Sequence, residues 1–508
     1  MAKTYKGTLS LEWYNKQKSI LLQKEEFKND LDIPAPKINW VNKDEALFYE
    51  INEKEGKGDN PYWVDRNDIR VKEARPLILQ KLYKAVEKNK VGTIPGTNKE
   101  FIIKESIEDE LEVDNLLIKG DNLLGLNTLK KIFDNKSDAE KIKCIYIDPP
   151  YNTGSAFEHY EDNLAKSEWL TLMRDRLVLM NKILRIDGMI FIQIDDEMLA
   201  HLKLILDEIF GQENFITTIS VKMSRSTGVK MAHVEKKPSR YKEHILLYAK
   251  SKDNFKVFPQ YIKLNKWDKR YNSYITNFES NPKEWKIQTL TEVFKLKNIT
   301  NEDEQFNFIK QNSMRIIRLA ENNQDVFVST IGKKYFQEIL TSTGLEKYAY
   351  NGSKVLFAKD KFKIVDGKEE LAEDAGDFWN DIVDHINDLH NEGGISFKNG
   401  KKPEFLLKRI INLSTEENDF VLDCFAGSGS TCCVANKMKR KWIGIEIGSQ
   451  AETHFLKRIK NVIKGNENRG ISKDNDVNWQ GGGSFKYYHL GPSIIEYKKD
   501  GTIDFTGP

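Results

Sequence analysis

Residues 143–154 read KCIYIDPPYNTG. The apolar run Cys144 to Ile147 has the length and β-branched content of a buried strand, and it stops abruptly at an acid, two prolines and a tyrosine. On either side, short apolar strands alternate with amphipathic helices: NLLIKGDN precedes it, and SEWLTLMRDRLVLMNKIL, GMIFIQIDD and EMLAHLKLILDEIF follow. This alternation predicts an α/β fold, a doubly wound Rossmann-like parallel sheet with helices on both faces. Near Ser251 the rhythm fades into a polar, aromatic and charged stretch that runs to about Asp374, then resumes with KPEFLLKRIINL, DFVLDCFAGSGST and KWIGIEI. One sheet interrupted by an insert accounts for both halves. The expected division is an accessory N-terminal region over 1–100, half of the α/β domain over 101–250, an insert over 251–374, the second half over 375–464 and a tail over 465–508.

The chain has 508 residues, enough for two or three domains with cores of their own. Apolar residues make up 39% and charged residues 31%, so disorder is not the default. Net charge is only +2, from 79 basic and 77 acidic residues, and partners must be read from local distribution. Val221 to Ile275 holds 14 Lys and Arg against 4 Asp and Glu, interleaved with eight aromatics from Tyr241 to Tyr274. Basic residues among aromatics suggest a nucleic-acid surface; a solvated basic face over core aromatics would give the same pattern. Cys144, Cys424, Cys432 and Cys433 form no CxxC pair and no metal-spaced cluster with histidine, so they read as core residues of a reduced, cytoplasmic protein, and no metal is expected. The N-terminus lacks a signal peptide's apolar core, and no apolar run is long enough to span a membrane.

DFVLDCFAGSGST is a strand, then Asp423, then a turn through Gly427 and Gly429 that opens a helix. Glycines there let the backbone turn tightly and leave room for a ligand against the strand end. Glu446 follows Gly427 by 19 residues at the end of the next strand, where such folds place the acid that binds a ribose diol. The loop lacks the GxGxxG spacing of a dinucleotide site. S-adenosylmethionine needs the same ribose acid and open backbone without a pyrophosphate cradle, and the loop alone does not choose between them.

Ligands of α/β sheets sit outside the carboxyl ends of the strands, so Asp148 should face the same crevice as Gly427 and Glu446. Methyl transfer to the exocyclic amine of a base gives Asp-Pro-Pro-Tyr a task. The nitrogen lone pair is delocalised into the ring; a carboxylate from Asp148 and a carbonyl from Pro149, both accepting from the NH2 group, would turn it toward a sulfonium methyl. The rings of Pro149 and Pro150 restrict φ and keep that carbonyl aimed. The carboxylate also stabilises positive charge developing on nitrogen, and Tyr151 offers a face for the base to stack on. A base attacked out of its plane must first leave the helix stack. A plain turn, with Pro and Asp ending a strand, would show the same four residues.

With these residues the chain resembles the β-class amino methyltransferases of DNA, and more closely the modification (Mod) subunits of type III restriction-modification systems. LLIKGDNLLGLNTL, IYIDPPYNTG, GMIFIQIDDEM, LDEIFGQENFI, YKEHILLYAKS, GKKPEFLLKRII and DCFAGSGST carry the likeness in that order, over roughly 115–250 and 375–450. The resemblance implies a circularly permuted order, with the catalytic motif before a target-recognition insert and the cofactor loop after it. It implies that Asp148, Pro149, Pro150 and Tyr151 are catalytic, with Asp in first place favouring adenine. Asp423, Phe425, Gly427 and Gly429 match the loop that binds S-adenosylmethionine, Glu446 the ribose acid, and Lys402 and Pro403 the segment along the methionine part. Asp121 matches an acid near the cofactor adenine, or else caps the helix that begins NLLGL. Ser430 stands where the family more often has Thr. Arg225 and Lys230, in KMSRSTGVK, are candidate phosphate contacts. Asp195, Asp196 and His244 are read as structural.

The resemblance implies transfer to adenine N6 in double-stranded DNA, a homodimer, and a helicase-nuclease restriction subunit as partner. The chain has no GxxxxGK[ST] segment and no recognisable nuclease cluster, so cleavage would belong to another polypeptide. Competing readings are a recognition subunit for a nuclease with methylation secondary, an enzyme acting on RNA or on cytosine N4, and a dinucleotide oxidoreductase, which would leave the amine clamp unexplained.

Overall fold

A computed structural model describes residues 10–12, 36–48, 62–88, 100–108, 114–151, 166–225, 238–340, 344, 346–386, 389–397, 400–497 and 502–505. The chain divides into two compact units, 1–258 with 376–508, and 259–375.

The first unit is built on an eleven-stranded sheet. In chain order its strands are β1 (Leu77–Glu87), β2 (Phe101–Ser106), β3 (Leu116–Lys119), β4 (Ile142–Ile147), β5 (Leu184–Ile194), β6 (Phe215–Lys222), β7 (Lys242–Ala249), β8 (Phe378–Trp379), β9 (Phe420–Asp423), β10 (Lys441–Glu446) and β11 (Ser484–Leu490). Their order across the sheet is β8-β6-β7-β5-β4-β9-β10-β3-β11-β1-β2. The six strands from β5 to β11 in that order are parallel.

All six residues of β4 are buried, as a parallel strand covered on both faces requires. Ile145 and Ile147 pack into the core with helices α1 (Asn122–Phe133), α2 (Lys166–Ile183) and α3 (Leu199–Phe210). The opposite layer holds α4 (Glu404–Ser414), α5 (Ser430–Lys437) and α6 (Leu456–Lys464). Val421 and Leu422 of β9 pair with Cys144 and Ile145 of β4, although more than 270 residues separate them. From β4 the chain crosses through α2 to β5 on one side; from β9 it crosses through α5 to β10 on the other. The boundary between β4 and β9 is therefore the sheet's switch point, where the strand ends open a crevice.

Two sequence expectations need correction. The sheet is not parallel throughout: β7 runs antiparallel to β5 and β6, and β1 runs antiparallel to β11 and β2. The N-terminal region and the tail are not separate appendages either, because β1 from the first and β11 from the second belong to the same sheet. LILQKLYKAVE has no clear period-2 alternation, and its partner lies about 400 residues away in the sequence. Tyr83 stacks on Phe485 at 4.9 Å across this junction.

The second unit, 259–375, holds a three-stranded and a six-stranded antiparallel sheet. Tyr271 is buried in its core with Trp267 and Tyr274 packed against that core, and Tyr248 is buried in the first unit. These aromatics of the basic stretch face inward, which favours the core reading for them, while Lys252, Lys256, Lys263, Lys266 and Lys269 are exposed. All four cysteines are buried and free. Among the described residues no helix is long and apolar enough to cross a membrane.

Candidate active site

The ends of β4 and β9 open on a cavity of about 550 Å³, a size suited to a small ligand. Asp148 to Tyr151, Glu243, Lys402, Asp423, and Phe425 to Ser428 are among the residues that line it.

Beyond β4, the Tyr151 hydroxyl donates to Asp148 Oδ1 at 2.5 Å, and Glu243 Oε2 lies 2.9 Å from the same hydroxyl. Lys402 Nζ donates to the Tyr151 oxygen and to Glu243 Oε2, both at 2.8 Å, and stands 3.3 Å from Asp148 Oδ1. Gln193 donates its amide N–H to Glu243 Oε2 and accepts from the Tyr146 hydroxyl at 2.6 Å. The Trp169 indole donates to the Pro150 carbonyl at 2.7 Å, anchoring the proline pair. Burial pushes the Asp148 carboxyl up to about 6; Lys402 opposes that rise and Glu243 adds to it. For Lys402 burial works against the charge, but the two carboxylates outweigh it and hold the ammonium above its ordinary value.

Beyond β9, Asp423 accepts from the Thr431 hydroxyl at 2.6 Å and the Phe425 N–H at 3.0 Å. Burial still drives its carboxyl up to about 7. The two glycines that follow do different work. Gly427 has φ +51°, and a Cβ there would meet nothing nearer than 4.0 Å, so the backbone leaves open space. Gly429 has φ +76°, and a Cβ would sit 2.1 Å from the Phe455 ring, so it serves helix packing.

Gly429, Glu446, Pro403 and Asp121, all expected at a cofactor, are not among the lining residues. Glu446 is 1% exposed and anchors the loop from behind: Oε2 accepts from Gly427 N–H at 2.7 Å, and Oε1 from Gly448 N–H at 2.8 Å and the Gln450 amide at 2.9 Å. Pro403 is the buried N-cap residue of α4. Asp121 is the N-cap of α1, accepting from Leu123 N–H at 2.8 Å and Leu124 N–H at 3.2 Å, with its other oxygen on Arg176 at 3.1 Å. Of its two readings, the structure displays the cap. Arg225 is paired with Asp384 at 2.7 Å on the surface. Lys230 and Asn152 to Gly154 lie outside the described residues. Asp195 accepts from the Glu197 N–H at 2.9 Å, and Asp196 meets His244 at 2.8 Å.

Glu243, Gln193 and Trp169 were missed as functional positions. A signal existed for Gln193: GMIFIQIDD places one amide inside an apolar strand, and such a residue needs a buried partner, whereas Glu243 stands between Lys242 and His244 and is not singled out. Nothing in the sequence marks Trp169, since it sits in the helical SEWLTLM pattern like any core aromatic.

Next to the cavity lies a second, sealed cluster. Glu404 pairs with Lys437 and with Arg458, both at 2.7 Å, and Lys437 pairs with Glu467 at 2.8 Å. Arg458 also donates to Ser430, just beyond the glycine loop.

A family model described as DNA methylase matches residues 142–457, from β4 into α6. Over 425 residues the chain is 34% identical to the "Probable type III restriction-modification enzyme HindVI Mod subunit" of Haemophilus influenzae, covering 76% of this chain and 55% of that protein. It is 28% identical over 365 residues to the type II methyltransferase M.EcaI of Enterobacter cloacae, covering 69% and 71%. It is 26% identical over 381 residues to the type III restriction-modification enzyme EcoPI Mod subunit of Escherichia phage P1, covering 64% and 55%. The chain thus spans little more than half the length of the two Mod subunits.

Proposed function

The chain belongs to the DNA methylase family, and from that premise we propose that it transfers a methyl group from S-adenosylmethionine to the exocyclic N6 amine of adenine in double-stranded DNA. The observation that carries the reading is the meeting of Asp148 and Pro149 with the Asp423–Gly427 loop at one switch point, around one cavity. The residues suit the cofactor: Gly427 leaves backbone space, Phe425 offers a ring, and Asp423 and Lys402 supply polar ends. Bound there, S-adenosylmethionine supplies a methyl made electrophilic by its sulfonium.

The chain's own residues supply the rest. Asp148 and the Pro149 carbonyl accept the two amine hydrogens, fixing the nitrogen lone pair out of the base plane. Trp169 occupies the Pro150 carbonyl, which leaves that of Pro149 for the amine. As the amine gains positive charge, the Asp148 carboxylate faces it and takes the released proton. Flipping brings the base into the cavity, where Tyr151 gives it a stacking face.

The likeness to Mod subunits extends the proposal to a modification and recognition component of a restriction-modification system. It would act in the cytoplasm as a homodimer, with a helicase-nuclease partner and with sequence read by the 259–375 unit. The test is methyl transfer from labelled cofactor to unmodified genomic DNA, followed by digestion and mass spectrometry of nucleosides. N6-methyladenine from wild type and none from Asp148→Ala is the expected result. N4-methylcytosine would overturn the adenine assignment, and no methylated nucleoside despite cofactor and DNA binding would overturn the enzyme reading.

A further inference from the structure

We infer that Glu243 is a positioning residue for the transfer, holding Lys402 in a closer pair than Asp148 has with it, so that the catalytic carboxylate stays available to the amine. The inference rests on the function proposed above and deepens its site.

The distances carry it. One ammonium lies between two carboxylates, 2.8 Å from Glu243 Oε2 and 3.3 Å from Asp148 Oδ1. Glu243 Oε2 is built to win that contest. It meets the Gln193 amide, the Tyr151 hydroxyl and the Lys402 ammonium together, and Gln193 is fully buried with its own oxygen held by Tyr146. Tyr146, Gln193 and Glu243 come from three neighbouring strands, β4, β5 and β7, so Glu243 is set by the sheet and not by a loop.

The chemistry explains why the division matters. A carboxylate locked in a full ion pair with lysine is a poor acceptor for an amine's hydrogens and cannot balance charge growing on nitrogen. With Glu243 ionised, the trio of Asp148, Glu243 and Lys402 carries a net negative charge that meets a cationic cofactor and a developing ammonium. Without it, the trio is neutral and Lys402 has only Asp148 to pair with. The titratable groups around Asp148 are Tyr146 on β4, Tyr151 just beyond it, Glu243 on β7, Asp423 on β9 and Lys402 ahead of α4. Glu243 raises the Asp148 carboxyl and Lys402 lowers it, so the two have opposite signs.

The experiment compares wild type, Glu243→Gln, Lys402→Met and the double variant, in steady-state methylation across pH and in carboxyl titration of protein labelled with carboxyl-carbon-13 aspartate. Asp148→Asn identifies the Asp148 signal. Glu243→Gln should lower kcat on the order of tenfold with KM values little changed. Its acid limb and its Asp148 midpoint should move to lower pH, while Lys402→Met moves both to higher pH. At saturating cofactor the double variant should have a higher kcat than Glu243→Gln alone, because removing the lysine frees Asp148; its cofactor KM should rise, because Lys402 also supplies a polar end to the cofactor site. A merely structural role for Glu243 predicts no such rescue, and an effect of charge alone predicts the same Glu243→Gln midpoint shift with and without Lys402. Wild-type kcat in Glu243→Gln, a double variant no faster than the single, or midpoints that stay put or move together would each overturn the inference. If wild type methylates no DNA, the proposed function fails by itself. The titration then still decides the inference on Glu243: a Glu243→Gln shift of the Asp148 midpoint that is larger with Lys402 present than in the Lys402→Met background supports its hold on Lys402, and an equal shift in both backgrounds overturns it.

Discussion

Lys402 and Glu404 stand two residues apart and enter ionic clusters of opposite character. Lys402 turns into the cavity, where two carboxylates share it and Asp148 is pushed up to about 6 by burial. Glu404 turns into the sealed layer behind, where it, Lys437 and Arg458 have no side-chain exposure at all. Burial alone would raise the Glu404 carboxyl too, but two cations within 2.7 Å outweigh it and hold that carboxyl well below the usual range. The difference is one of stoichiometry. Glu404 has two cations at 2.7 Å, one of them shared with Glu467, and this makes a locked joint between α4, α5 and α6; Asp148 has only the more distant share of one cation and is left poised to titrate near neutrality and to accept a proton.

That contrast can be broken in four places. The largest effect belongs to the poised acid: Asp148→Ala should reduce single-turnover methyl transfer by about three orders of magnitude or more, with cofactor affinity by calorimetry nearly unchanged. A comparable loss of cofactor affinity would put Asp148 in the binding machinery instead. The locked joint should answer in stability. Glu404→Gln takes from Arg458 its acid at 2.7 Å and leaves Lys437 with Glu467 alone, and should cost about 3–5 kcal/mol in urea unfolding. Its folded carboxyl is depressed, so the stabilisation is present above the ordinary glutamate range and is lost as pH falls toward the lower folded value. Wild type should therefore lose more stability than Glu404→Gln on acidification below about pH 4.5.

The third effect is on pH dependence. Transfer requires ionised Asp148, so kcat/KM should fall about tenfold per pH unit below about 6. An acid limb near the ordinary aspartate value would show that Asp148 is not held as the cavity implies. The smallest effect concerns Asp121. Removing its two N-cap hydrogen bonds by Asp121→Ala should cost about 1 kcal/mol of stability. Cofactor affinity should not change; a marked loss would place Asp121 at the cofactor as well as at the cap.

Local signals made much of this legible. The run into Asp148, the glycine turn after Asp423, the helices in 166–183 and 199–210, and the break in rhythm near 251 all have their cause within a dozen residues. The interrupted α/β pattern even set β4 and β9 in one sheet, since a chain that resumes its rhythm must resume its layers. The places of β1 and β11 in the sheet escaped, although SFKYYHL reads as a short strand, because nothing local to either names its partner. Glu446 was legible only in part: its place at a strand end was right, and the carboxylate's use as an anchor for Gly427 depends on how the loop folds back over it.

The sequence by itself determined the fold class, the interruption of one sheet by an insert and the identity of the chemical groups at Asp148 to Tyr151 and Asp423 to Gly429, because these follow from local pattern and side-chain type. Only the tertiary structure decided which charges share a cation. Glu243 and Lys402 are 159 residues apart, and Glu404 and Arg458 are 54 apart. Whether an acid is poised or locked depends on distances of a few tenths of an ångström and on the count of partners inside a dry interior, and these exist only after the sheet has brought its strands together.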